Sequence, residues 1–293
     1  MKIGVIGLGK MGKNIVLNLL DHKYEVVVNN RSPEPINELK KYGAIPAYSP
    51  EEFTEKLSKQ KIIWLMIPAD SVDKVISQLK PNLNKNDIII DGGNSFYKDS
   101  IRRYNELSKL GIEFIDVGFS GGPNGARNGG CLMVGGKENK NLSKLFVDLS
   151  VKNGLQFFKS PGAGHFVKMV HNGIEYGMMQ SIAEGFEILK NSKYKLNLEK
   201  VAELYNHGSV IESRLIEWTN LAYKKYGNEL KEISGVAQES GEGSWTVKTA
   251  KEMKIKSKVL EDSLKARRLS RKKPNYQGKV ITALRSEFGG HKL

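Results

Sequence analysis

One hexapeptide constrains the fold more than any other part of this chain: Gly7-Leu8-Gly9-Lys10-Met11-Gly12, which follows directly on the apolar run Lys2-Ile3-Gly4-Val5-Ile6. By itself G-x-G-x-x-G is a weak signal that a structural glycine turn also satisfies. Here an amphipathic stretch from Asn14 to Asp21 follows, and then a second apolar run, Tyr24-Glu25-Val26-Val27-Val28-Asn29. Strand, glycine turn, helix and strand in that order specify a dinucleotide-binding unit. The glycines permit a tight turn and close backbone approach, and the helix they open offers its N–H groups to a pyrophosphate. Gly7, Leu8, Gly9, Met11 and Gly12 are the first candidate cofactor residues.

The end of the second strand selects the dinucleotide. A carboxylate there accepts hydrogen bonds from the ribose 2′-hydroxyl and repels a 2′-phosphate; this chain has Asn30-Arg31-Ser32 instead. A guanidinium makes paired bonds to phosphate, so NADP is favoured over NAD, with a plain surface arginine as the competing reading. Alternation then continues. Lys61 to Ile67 reads as a buried strand ending at Pro68, Ser71 to Leu79 as a helix, and Asp87 to Ile90 as a strand ending at Asp91-Gly92-Gly93-Asn94-Ser95. Helical spacing returns from Asp99 to Leu110, and Glu113 to Val117 is one more strand. Ligands of open α/β sheets lie beyond the carboxyl ends of the strands, which adds Met66, Pro68 and Asn94 to the cofactor candidates. In Gly118-Phe119-Ser120-Gly121-Gly122-Pro123, successive glycines free N–H groups for an anion and Ser120 adds a hydroxyl. Ser120, Gly121 and Gly122 read as ligand contacts, whereas Gly129-Gly130 and Gly135-Gly136 read as tight turns between short strands.

The pattern changes near Pro161-Gly162. After it comes almost nothing but helical spacing, near 166–191, 198–207, 211–226, 244–253 and 257–270, then a last short helical pattern and a tail from Arg285 to His291. The expected fold is therefore an α/β, Rossmann-type dinucleotide-binding domain over 1–162 followed by an all-α domain over 163–293. The first of these helices carries an unusual stripe. Counting from Lys168, the residues His171, Asn172, Glu175 and Tyr176 fall at offsets of 3, 4, 7 and 8, a single helical face. It reads either as a solvated face or as a row of donors, an acid and a base aimed at one ligand. Phe166, Val167, Met169, Val170, Ile174 and Met178 occupy the remaining circumference; they predict burial on several sides and favour the second reading.

At 293 residues and 39% hydrophobic content the chain can bury sizeable cores. It has no apolar run of about 18 residues and no basic-then-apolar leader, which predicts a cytoplasmic protein without membrane contact. A single cysteine, Cys131, excludes an intrachain disulfide, argues against a cysteine-based metal site and reads as a small buried residue. Residues 251–293 hold 13 Lys/Arg against 4 Asp/Glu, so +9 of the net +14 lies there. Nucleic acid fits such a basic region, but no zinc-finger spacing or RNA-binding aromatic signature accompanies it, and a pocket for a phosphorylated small molecule fits equally well. No nucleic-acid partner is expected.

Together, Gly7-x-Gly9-x-Met11-Gly12, Asp91-Gly92-Gly93-Asn94-Ser95, Ser120-Gly121-Gly122 and Gly162-Ala163-Gly164-His165-Phe166-Val167-Lys168-Met169-Val170-His171-Asn172-Gly173-Ile174-Glu175-Tyr176 resemble the 6-phosphogluconate dehydrogenases, decarboxylating enzymes of the pentose phosphate pathway. The likeness runs nearly end to end and is to the short form, whose helical domain is not duplicated. The fingerprint, the Ser-Gly-Gly loop and Lys168 are shared by the wider β-hydroxyacid dehydrogenase superfamily; His171, Asn172, Glu175, Tyr176 and the stretch from Arg285 to His291 are narrower.

The resemblance implies oxidation of 6-phosphogluconate to ribulose 5-phosphate and CO2 with NADP or NAD and no metal. Lys168 would be the general base at the C3 hydroxyl, a role suited to a desolvated lysine, which loses its proton more readily. Glu175 would be the acid that protonates C1 of the enediol. Asn94, Ser120, Gly121, Gly122, His171 and Asn172 would hold the carboxylate and hydroxyls, and Tyr176, Arg267, Arg285 and His291 would surround the phosphate. The last two would come from a neighbouring subunit, which implies a homo-oligomer. The chain departs from the long enzymes at Gly241-Glu242-Gly243-Ser244-Trp245, where they carry lysines. Two alternatives compete: a sibling dehydrogenase of a small 3-hydroxy acid, which has no need of a basic tail, and a non-catalytic NADPH-binding or nucleic-acid-binding protein, against which base and acid stand intact on one face.

Overall fold

The apolar runs become strands of a single sheet. In the computed structural model, which describes residues 1–290, β1 (Lys2–Ile6), β2 (Glu25–Asn29), β3 (Ile45–Pro46), β4 (Ile62–Leu65), β5 (Ile88–Asp91), β6 (Glu113–Ser120), β7 (Gly130–Gly135) and β8 (Ser150–Phe158) lie in the order β3-β2-β1-β4-β5-β6-β7-β8. The neighbours pair in parallel except β6 with β7, which is antiparallel. The first six strands have the doubly wound order of dinucleotide-binding sheets, with the winding reversed between β1 and β4. Helices α1 (Lys10–Asp21), α2 (Pro33–Lys40), α3 (Pro50–Glu55), α4 (Val72–Leu79), α5 (Tyr97–Ser108), α6 (Gly122–Asn128) and α7 (Lys140–Asp148) are interleaved with the strands.

Alternate strand residues serve two cores. Val26, Val28, Ile88 and Ile90 pack with Ile15, Val16 and Leu19 of α1 on one face, while Val27, Ile89, Ile63 and Leu65 pack with Phe53, Val72 and Leu79 on the other. Because both faces are covered, β4 and β5 are buried throughout and read as continuous apolar runs. Each such side chain contributes about 1.5–3 kcal/mol by leaving water.

The helical half comprises α8 (Ala163–Lys190), α9 (Leu198–Tyr205), α10 (Arg214–Tyr226), α11 (Glu242–Glu252), α12 (Lys258–Lys272) and α13 (Tyr276–Gly289). The chain divides into two compact units, Met1–Met169 and Val170–Leu293, so that α8 contributes residues to both. In the second unit Tyr176, Met179, Ala183 and Phe186 of α8 join Leu215, Tyr223, Val247, Leu264, Val280 and Leu284 in one core. Among the described residues no helix is long and apolar enough to cross a membrane.

Several expectations are corrected. Gly129 and Gly136, at φ +108° and +118°, do turn the chain at either end of the short strand β7, but helices flank that strand, α6 before it and α7 after it. Cys131 is exposed, because it alternates on β7 with Leu132 and points away from the core that Leu132 and Val134 enter. The last helical pattern is not short, and Arg285 stands inside α13 rather than on a tail. Ile174 and Met178 are exposed, since α8 turns its Tyr176–Met179–Ala183 side to the core and these two to the opposite side. His291 lies outside the described residues.

Candidate active site

The cofactor candidates of the first unit converge at the carboxyl end of β1. Gly7 has φ +94°, and a Cβ there would lie 2.4 Å from the Met66 carbonyl oxygen, so only glycine lets the turn sit flush against the end of β4. A Cβ at Gly12 would stand 1.9 Å from the Gly7 carbonyl oxygen, which brings α1 down onto the turn. Gly9 caps α1 without any side-chain bond, and nothing lies within 4 Å of where its Cβ would be. A pyrophosphate needs that open space at a helix start, and the residues present fit a dinucleotide. Asn30 ties the end of β2 to this turn: its Oδ1 accepts from the Leu8 N–H at 3.0 Å and its Nδ2 donates to the Ser32 carbonyl and hydroxyl oxygens, each at 3.1 Å. Arg31 and Ser32 are exposed beside it, as is Pro68 beyond β4, while Met11 and Met66 are half-buried.

After β5, Asp91 is fully buried and organises the loop that presents Asn94 to solvent: its Oδ1 accepts from the Gly93 N–H at 3.2 Å and its Oδ2 from the Ser95 hydroxyl at 2.7 Å. After β6, Ser120 is half-buried, and Gly121 and Gly122 take φ of +131° and +61°, turning the backbone into α6.

Lys168 is placed by close packing of α8 on β6. The buried carboxylate of Asp116 receives the N–H of Gly162 at 2.7 Å and of His165 at 2.8 Å, so a strand residue caps the N-terminus of the helix and complements its dipole. A Cβ at Gly164 would meet the Met133 carbonyl oxygen at 2.3 Å, and one at Gly118 would meet Lys168 Cβ at 2.4 Å. Lys168 is 8% exposed. Gly118→Ala is accordingly expected to push helix and strand apart, destabilising the protein by about 1–3 kcal/mol and lowering kcat with it; thermal denaturation and steady-state rates check this, and an unchanged melting temperature would refute the contact.

In the second unit the stripe continues along α8. Asn172 is buried, His171 and Glu175 are half-buried, and the His171 Nδ1–H donates to Asn172 Oδ1 at 2.9 Å, with Glu175 Oε2 at 3.8 Å from the same nitrogen. The Tyr176 hydroxyl accepts from the Ser240 N–H at 3.3 Å, and the guanidinium of Arg267 lies 3.7 Å over its ring. Arg267 is fully buried; its Nη1 donates to the Gln238 carbonyl at 2.8 Å, and Nη1 of buried Arg285 donates to the same oxygen at 2.6 Å. Burial, and then the neighbouring Arg285, pull the Arg267 guanidinium down to about 10, against the pull of Tyr176, Glu175 and Glu239. Arg268 and Arg271 differ from it: both are paired with Glu239 on the surface. Glu242 of α11 is buried and Gly243 backs the Tyr176 ring.

Sequence reasoning missed Asp116, whose signal was a carboxylate inside a strand otherwise apolar, and Ser100, whose Oγ lies 2.7 Å from His165 Nδ1. Among the described residues no cluster of three or more His, Cys, Asp or Glu could hold a metal ion.

Residues 2–149 match the model of the NAD binding domain of 6-phosphogluconate dehydrogenase, and residues 164–290 that of the 6-phosphogluconate dehydrogenase C-terminal domain. The YqeC protein of Bacillus subtilis is 47% identical over 99% of this chain and 98% of its own. An NAD(+)-dependent, decarboxylating 6-phosphogluconate dehydrogenase of Haloferax volcanii is 38% identical over 100% of this chain and 98% of its own. Among solved structures, the Plasmodium falciparum 6-phosphogluconate dehydrogenase, determined with NADP+ and with 6-phosphogluconate, superposes with a TM-score of 0.84 at 33% identity. That match covers 92% of this chain, which spans only 62% of the longer protein. With both halves matched in order and full-length relatives well above 30% identity, the chain belongs to the 6-phosphogluconate dehydrogenase family.

Proposed function

We propose that this chain oxidises 6-phosphogluconate at C3, with NADP as the preferred hydride acceptor, and releases CO2 to give ribulose 5-phosphate. The observation that carries this over a sibling acting on a small 3-hydroxy acid is the arginine pair. Two buried guanidiniums meet on one carbonyl, and among the described residues neither has a carboxylate within ion-pair distance. Burying like charges together is unfavourable unless an anion joins them. A phosphomonoester dianion supplies that anion, and a small unphosphorylated acid lacks it.

In this reading residues 1–162 hold the cofactor and 163–293 the substrate. A bound nicotinamide supplies the hydride acceptor. Lys168 takes the proton of the C3 hydroxyl as the C3–H bond gives up its hydride. The ammonium so formed then stabilises negative charge on the C3 oxygen while the bond between C1 and C2 breaks and CO2 leaves. Glu175 donates the proton that the decarboxylated carbon, now C1 of ribulose 5-phosphate, requires. Asn94, Ser120, Gly121, Gly122, His171 and Asn172 orient the carboxylate and hydroxyls. Tyr176, Arg267 and Arg285 surround the phosphate, with Arg285 beside Arg267 of its own chain and not, as the resemblance implied, supplied by a neighbouring subunit; His291 keeps the role that the resemblance implies. A homo-oligomer belongs to the same reading. Ile174 and Met178 of α8 and Val259 of α12, which lies against Gly177, leave apolar surface exposed that a second copy would cover; the mass in solution by light scattering tests it.

The test of the reaction is reduction of NADP and of NAD in parallel with 6-phosphogluconate, with CO2 measured alongside. CO2 released in step with reduced cofactor is the expected result; no turnover from folded protein would overturn the reading. The preference for NADP rests on Arg31 and Ser32 beside Asn30. Arg31→Ala should raise the KM for NADP about 10- to 100-fold, the worth of a charge-assisted hydrogen bond to phosphate, and leave that for NAD within about twofold. Equal effects on both would remove the 2′-phosphate argument.

A further inference from the structure

We propose that Arg103 is a positioning residue for hydride transfer, holding the loops after β4 and β5 in one arrangement. The inference rests on the functional reading above and adds to it a residue outside every motif. Arg103 lies on α5 and is 3% exposed. Its Nε donates to Asp73 Oδ1 at 2.8 Å and its Nη2 to the Ala69 carbonyl at 3.3 Å, both in the segment that follows β4 and Pro68. Its Nη1 donates to Asp91 Oδ2 at 3.3 Å and to the Ser95 hydroxyl oxygen at 3.2 Å, the two residues that bracket Gly92-Gly93-Asn94 after β5. One planar fork therefore spans both loops.

Those loops carry Pro68, a cofactor candidate, and Asn94, a candidate for both cofactor and substrate. The same helix reaches the segment that carries the base. Tyr97, Ser100 and Arg103 stand one turn apart on α5; the Tyr97 ring packs edge-on to Phe166 at 5.1 Å between centroids, and Ser100 Oγ meets His165 Nδ1 at 2.7 Å, in the first turn of α8. α5 is thus a strut with Pro68 and Asn94 fixed at one end through Arg103 and the approach to Lys168 fixed at the other. A lysine cannot replace the fork, because an ammonium is a point charge without the planar set of donors. Displacing reacting groups by about 1 Å lowers the rate by about 10²-fold, so the loss belongs in kcat and in the hydride step.

The experiment compares wild type, Arg103→Lys and Ser95→Ala with 6-phosphogluconate carrying hydrogen or deuterium at C3, together with NADPH affinity by fluorescence and melting temperature. Arg103→Lys should lower kcat about 10- to 100-fold and raise the deuterium isotope effect on kcat, with NADPH affinity within about twofold of wild type. Ser95→Ala, which removes one hydroxyl and leaves the buried charges paired, should shift both readouts in the same direction by less, and it stands in if Arg103→Lys does not fold. An unchanged kcat and isotope effect in folded variants, or a loss of kcat no larger than the loss of folded protein, would reduce Arg103 to a structural brace and overturn the proposal. A wild type inactive with 6-phosphogluconate overturns the functional reading, and this inference with it, before any variant is made.

Discussion

Lys168→Met is expected to lower kcat by about 10²–10⁴-fold, the usual worth of a positioned acid or base, while NADPH still binds with near wild-type affinity. Backbone packing sets the position of residue 168. Gly118 and Gly164 let α8 lie directly on the sheet, and Asp116 fixes its first turn through two backbone N–H groups. The Cα–Cβ bond at 168 is therefore held by the packing of helix on sheet. Methionine is unbranched, helix-compatible and close to lysine in length. The cofactor candidates stand on other elements, at the ends of β1, β2 and β4, and should not sense the change. Reduced-cofactor absorbance in a single-turnover experiment and NADPH fluorescence titration separate the two quantities. Near-normal turnover would remove Lys168 from the role of base; loss of cofactor binding in parallel with activity would show that it acts through the fold.

The parts of this molecule that a sequence reader can see are those whose cause is local. The glycine fingerprint is legible because Gly7 and Gly12 answer contacts within one strand–turn–helix unit or with the adjacent strand. The stripe on α8 is legible because helical periodicity alone places Lys168, Asn172 and Glu175 on one side. Where the cause is tertiary, the pattern misleads. Ile174 and Met178 have core composition, yet the core lies on the other side of α8. α13 is interrupted in sequence by Gly278, which shortens any reading based on propensity. That glycine is there because a Cβ would stand 1.9 Å from the Gly235 carbonyl oxygen, an approach from more than forty residues away. Without α13 in view, Arg285 looks like part of a tail. In the fold it meets Arg267 on the Gln238 carbonyl.

That meeting supports the second large effect. Arg267→Met is expected to raise the KM for 6-phosphogluconate about 10- to 100-fold, the loss of a hydrogen bond to a charged group worth about 1.5–3 kcal/mol, with kcat changing much less, because the phosphate is remote from C3. A small 3-hydroxy acid without phosphate, tried on the same variant, should show no such change; a parallel loss with both substrates would mean that the residue only supports the fold. The pH dependence has a definite sign. Arg267 is held below its ordinary value, to about 10, mainly by burial and then by Arg285. A base depressed in the folded state favours folding at high pH: the native state has its full stability above the unfolded value and loses it as pH falls through about 10. At neutral pH the guanidinium is charged, and its burial weighs against the native state. An anion bound there offsets that penalty, so inorganic phosphate should raise the melting temperature of wild type at neutral pH and leave Arg267→Met unmoved. A phosphate effect of equal size in both proteins would place the anion elsewhere and take the main support from 6-phosphogluconate as the substrate.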